Sequence, residues 1–173
     1  MEKFDGISFY GHEDEELQKE YKRLFCNMTQ EEKQLLIKDL CGRLPYGVMT
    51  NYENHIYVIN EIDPACKDID YITVRIQDVE RLMCAENVMI ENIKPYLRPM
   101  SSMSEEELDE CVEYSGIRGL ECPQIETFED RLLWAIKMFS TDYKSVDWLN
   151  THHFDYRGLI LMGLALEAPK DMY

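Results

Sequence analysis

Basic residues are scarce in this chain: 18 Lys and Arg stand against 34 Asp and Glu in 173 residues, a formal net charge of −16. Contact with nucleic-acid phosphates draws on clustered lysine and arginine, so direct nucleic-acid binding is disfavoured, and attachment to anionic membrane surfaces is disfavoured for the same reason. Long apolar runs are missing too. The longest candidate, "LILMGLALEA" near the end, falls well short of the roughly 20 residues a membrane helix requires. The opening "MEKFDGISFYGHEDEELQKEY" lacks the basic start, apolar run and small-residue cleavage site of a secretory signal. A cytoplasmic protein without membrane association is expected.

Spaced metal ligands are lacking as well. The six cysteines (Cys26, Cys41, Cys66, Cys84, Cys111 and Cys122) form no C-x2-C or C-x4-C pair, so free thiols are expected in a reducing compartment and no structural zinc site. The chain contains no G-x-S-x-G, G-x4-GK[ST], G-x-G-x-x-G or H-E-x-x-H. The common hydrolase, nucleotide-binding and metalloprotease signatures are therefore missing, and no cofactor is expected.

What is present is enough for a core. Hydrophobic residues make up 45% of the chain and aromatic residues 11%, and a compact fold of this length buries about 70% of the surface its unfolded chain exposes. "TQEEKQLLIKDLCGR" places a capping box at Thr29 and Glu32, an apolar stripe at Leu35, Leu36 and Leu40, and a stop at Gly42, which predicts a helix over 30–41. "EDEELQKEYKRLF" suggests a shorter helix before it. Four runs then alternate or are rich in β-branched residues: "YGVMTNY", "HIYVINEI", "YITVRIQ" and "NVMIENI". The first two flank the pair Glu53-Asn54 as a hairpin. "KPYLRPMSSM" carries Pro95 and Pro99 and reads as a linker, because proline opposes a central strand or a helix.

Helical signals return in the last third. Ser104 and Glu107 make a second capping box at the start of "SEEELDECVEYSG", Thr127 caps "TFEDRLLWAIKMF" with Leu132, Leu133, Ile136 and Phe139 inward, and "KSVDWLN" and "YRGLILM" predict two further short helices, the last closed by Gly163. The fold class expected is α+β: a small antiparallel sheet or half-open barrel flanked by N-terminal and C-terminal helices. Residues 1–43 form an N-terminal helical segment, 44–100 the β unit and 101–173 a C-terminal helical unit, packed as one compact domain.

Two stretches carry candidate chemistry. Residues 101–130 hold one basic residue, Arg118, against ten acidic ones. Within them Glu105, Glu106, Asp109, Glu110 and Glu113 recur at roughly helical spacing, which makes a solvated helix face, a docking surface for a basic partner, or an imitation of the phosphates that a DNA- or RNA-binding protein expects. "WLNTHHFDYRGLI" places His152, His153 and Asp155 together. Adjacent residues on a helix diverge by about 100 degrees, so the two histidines cannot share a ligand as H-x3-H would. The structural reading is a corner in which the histidines meet the last carbonyls of one helix while Asp155 caps the next, whose Tyr156 and Leu159 pack on Trp148. The chemical alternative is a hydrolase centred on His152, His153 and Asp155. His12 and His55 stand alone and read as ordinary structural residues.

Together "LPYGV" at 44–48, "KPYLRPMSSMSEEE" at 94–107 and "WLNTHHFDYRGLI" with "GLALEAPKDMY" at 148–173 resemble a group of uncharacterised small acidic proteins of phages and integrated mobile elements of gut anaerobic bacteria. The resemblance covers about a third of the chain. It implies a bacterial or phage cytosol and an accessory role, and carries no catalytic residue with it. The expected function is non-enzymatic: an accessory protein that binds another protein, with an acidic nucleic-acid mimic and the hydrolase as alternatives.

Overall fold

A computed structural model describes residues 28–63, 72–79, 85–116, 127–139 and 142–173. The helix expected near residues 13–25, together with His12 and Cys26, Cys66, Cys84 and Cys122, lies outside the described residues. The class is α+β, with helices flanking an open, mixed six-stranded sheet.

The first described helix, α1 (Gln30–Arg43), begins as its sequence dictates. The Thr29 hydroxyl accepts from Glu32 N at 3.2 Å and Glu32 Oε2 accepts from Thr29 N at 2.7 Å, which satisfies two otherwise unpaired donors. Its end differs from expectation. The chain passes Gly42, makes a 3-10 turn at Leu44–Tyr46, and stops at Gly47, whose φ of 72° suits a residue without Cβ. Gly42 serves packing instead: a Cβ there would come within 2.9 Å of the Asn150 side-chain nitrogen.

Strands β1 (Met49–Tyr52) and β2 (His55–Asp63) form the predicted hairpin. Glu53 and Asn54 both take positive φ, 49° and 65°, as a type I′ turn demands. β3 (Thr73–Asp78) and β4 (Ala85–Met89) extend the sheet antiparallel on that side. In β3, Val74, Ile76 and Asp78 are buried while Arg75 is exposed, the period-2 pattern of a half-buried strand.

The expected linker is instead a strand, β5 (Lys94–Leu97), seated between β1 and the two-residue β6 (Leu166–Glu167), giving the order β4-β3-β2-β1-β5-β6. Pro95 is tolerated because β5 meets β1 over only two pairs, Thr50↔Pro95 and Asn51↔Lys94. There the Thr50 hydroxyl adds a bond to Lys94 O at 2.9 Å. β5 and β6 run parallel, so the sheet is mixed and not closed into a barrel. Residues 166–167, expected within a helical unit, thus join the sheet.

Helices α2 (Glu105–Ser115), α3 (Phe128–Phe139) and α4 (Tyr143–Thr151) stand at the predicted positions. Ser104 and Glu107 close the second capping box, and Thr127 Oγ1 accepts from Asp130 N. On α3 the buried stripe is Leu132, Ala135 and Phe139; Leu133, expected inward, is 60% exposed, turned by one helical step from Leu132. The final predicted helix is not formed. Residues 156–164 are turns, with Gly158 and Gly163 both left-handed, at φ of 75° and 72°.

Two apolar clusters result. One packs Leu36 and Leu40 of α1 with sheet residues including Ile59, Val74, Ile76 and Leu97, and with Leu159 and Leu164. The other packs Leu108 and Cys111 of α2 with Ala135, Phe139, Trp148, Leu149 and Phe154. Phe154 and Leu159 belong to different clusters, so residues 148–160 form the junction between them.

Candidate functional site

At the junction, each of the three chemically suggestive residues has its own employment. His152 follows α4, stacks on the Trp148 ring at 3.9 Å, and places Nδ1 2.9 Å from Trp148 O. A carbonyl only accepts, so Nδ1 carries the proton there. His153 takes φ of 58°, is 4% exposed, and stacks on Tyr173 at 3.7 Å. Asp155 accepts from Leu159 N and Ile160 N, one bond to each oxygen, both at 2.8 Å. It therefore pins a turn where a helix cap was expected. No hydrogen bond joins any two of His152, His153 and Asp155 among the described contacts. A nucleophile-and-base relay needs such a bond with a third group orienting the base.

Burial, with the Arg43 charge next in weight, pulls the His153 imidazole down to about 4. The folded state thus holds this group neutral while the unfolded chain, near the ordinary 6.5, takes up a proton first. The stability linked to His153 is complete above about pH 6.5 and is lost as the pH falls towards 4. The unfolding free energies of the parent and of His153→Gln, from urea titrations across that range, should converge as the pH falls, by up to about 1.4 kcal/mol per pH unit at the steepest point. A constant difference would contradict this.

The corner is tied down by residues the sequence reading did not single out. Arg43, fully buried at the end of α1, donates from Nε and Nη2 to the two Asp39 oxygens at 2.7 and 3.1 Å and from Nη2 to Phe154 O at 2.8 Å. Arg157 Nε adds a second cation to Asp39 at 3.1 Å. Arg98 pairs its backbone with His153 and Asp155 in an isolated parallel bridge, lies 4.2 Å over the Phe154 ring, and grips Glu107 with both Nη atoms at 2.8 and 3.0 Å. Despite partial burial acting the other way, the hydrogen bonds from Arg98 and from Ser104 N hold the Glu107 carboxyl below the ordinary range. Through this pair the first turn of α2 is fixed to the corner.

The other predicted residues lie on the opposite side of α2 from its buried Leu108 and Cys111. Glu105, Glu106, Asp109, Glu110 and Glu113 are all exposed. Asp109 pairs with Arg131 of α3; among the described residues the other four have no ion-pair partner. Beside this face, Asp147 of α4 receives the Tyr46 hydroxyl on Oδ1 at 2.5 Å and the Tyr114 hydroxyl on Oδ2 at 3.3 Å. These bonds to the carboxylate push both phenols above their usual value. Elsewhere, a groove of about 520 Å³ between the β1–β2 hairpin and the C-terminal tail is lined by Met49, Ile56, Val79 and Met172 with His55 and Asp78, and none of the predicted partner-binding or catalytic residues reaches it.

No family model matches the chain, and neither does any curated protein or solved structure. Among the described residues no group of three His, Cys, Asp or Glu side chains converges as a metal site, and Cys41 and Cys111 are free thiols. No helix among them is long and apolar enough to cross a membrane.

Proposed function

We propose that the protein is a non-enzymatic binding module that docks a second protein of basic surface through the exposed carboxylate face of α2. The observation that supports this most is the contrast within one helix. Glu107 is engaged by Arg98 and by the capping box, whereas Glu105, Glu106, Glu110 and Glu113 are exposed and unpaired among the described residues. Folding does not require such a density of one sign, and it costs self-repulsion that a basic partner relieves. The phage or mobile-element context, the cytoplasm of a bacterial host and an accessory role belong to this proposal.

Because the attraction is between exposed charges, it is screened by salt. Capture of partners from bacterial lysate on the immobilised protein should be strong at low ionic strength and largely lost at high ionic strength. A captured set that is the same at both would overturn the charge-led reading and point to an apolar interface. Among captured proteins, nucleic-acid-binding ones released by competing DNA or RNA would favour the mimic over docking at a surface that nucleic acid does not use.

A further inference from the structure

We propose that Tyr114, Tyr143 and Asp147 form a receptor for one arginine side chain of the basic partner, at the end of the acidic stripe on α2. The inference rests on the reading of α2 as a docking face and names the chemistry that would read an individual residue there.

The three groups converge from two packed helices. Glu106, Glu110 and Tyr114 succeed one another at four-residue spacing, so the row of carboxylates runs directly to the tyrosine. Tyr114 is 51% exposed and Tyr143, at the start of α4, is 76% exposed. Tyr143 precedes Asp147 by four residues on α4, which places the two on one face of that helix. Large aromatic faces left in solvent are surface that the core does not use. Asp147, half-buried, is held by the Tyr46 and Tyr114 hydroxyls, one on each oxygen. A carboxylate offers about four acceptor positions, so about two remain for an incoming donor fork. Backbone anchorage adds rigidity, since Thr151 Oγ1 binds Asp147 O at 2.9 Å.

A fixed carboxylate with exposed rings beside it suits a guanidinium better than an ammonium. Arginine can lay its plane on an aromatic face and donate two bonds to a carboxylate at once, whereas lysine presents a strongly hydrated point charge. The neighbouring Glu106, Glu110 and Glu113 then supply attraction over a longer range without selecting between the two cations.

The test uses fluorescein-labelled hexa-arginine and hexa-lysine as probes, with binding to the whole protein followed by anisotropy at low salt. The parent should prefer hexa-arginine. Tyr143→Ala should weaken hexa-arginine binding about tenfold, and Tyr143→Phe, which keeps the ring, should stay within about threefold of the parent. Position 143 is mostly solvent-exposed, so both variants should melt with the parent. If folded Tyr143→Ala binds hexa-arginine as the parent does, or if hexa-lysine binds equally well, the receptor is overturned. The acidic face is scored separately by a Glu106→Gln, Glu110→Gln, Glu113→Gln protein with the tyrosines intact. Loss of both peptides in that protein keeps the docking reading even when the receptor fails. Parent-like binding of both peptides there, or no binding of either by the parent, overturns the two together.

Discussion

Asp39→Ala should destabilise the protein by about 3–5 kcal/mol, because it strands the Arg43 charge without a counter-ion in a site from which water is excluded. Both partners are fully buried, and two of the three described hydrogen bonds of Arg43 end on this one carboxylate. The loss should exceed that of Arg157→Ala, whose guanidinium is partly solvated, with 21% of its side chain exposed. The pair itself need not add stability. Replacing both residues together, as Asp39→Leu with Arg43→Met, removes the charge and its desolvation penalty at once and should be less damaging than Asp39→Ala alone. Chemical denaturation of the three proteins checks the order; a double variant weaker than Asp39→Ala would mean that Arg43 matters mainly through its bond to Phe154 O.

Trp148→Ala should cost a similar amount, about 3–5 kcal/mol, by opening a cavity in the helical cluster. Trp148 is 4% exposed, and its ring stacks with those of His152 at 3.9 Å and Phe154 at 5.9 Å. At this chain length the melting temperature should fall on the order of 10 °C. His152→Ala removes a half-buried ring from the same stack and should cost much less. A Trp148→Ala protein that melts with the parent would return the corner from packing to chemistry.

What the sequence disclosed follows the range of the interaction. The capping boxes at Thr29 and Ser104, the Glu53-Asn54 turn and the acidic spacing of α2 are each written within a few residues, and all are present. The arrangements that were not legible are those decided far away. Asp39 meets Arg157 across 118 residues and Tyr46 meets Asp147 across 101. The i, i+4 spacing of Asp39 and Arg43 was a local signal, though burial is what makes it matter. Pro95 argued against an interior strand by a sound local rule, which short pairing with β1 and a parallel partner from residues 166–167 overrode. The last predicted helix failed because Asp155 takes the Leu159 and Ile160 N–H groups into a turn, between two left-handed glycines.

If the exposed carboxylates of α2 are the contact surface, reversing their charge should abolish capture of basic partners. The most direct measurement compares partner capture at low salt by the parent and by a protein carrying Glu106→Lys, Asp109→Lys, Glu110→Lys and Glu113→Lys. Lysines early in the helix oppose its dipole, so a modest loss of stability is expected and is measured separately by thermal melting. The reversed protein should fold and capture none of the parent's basic partners. A reversed protein that stays folded and still captures all of them would contradict it.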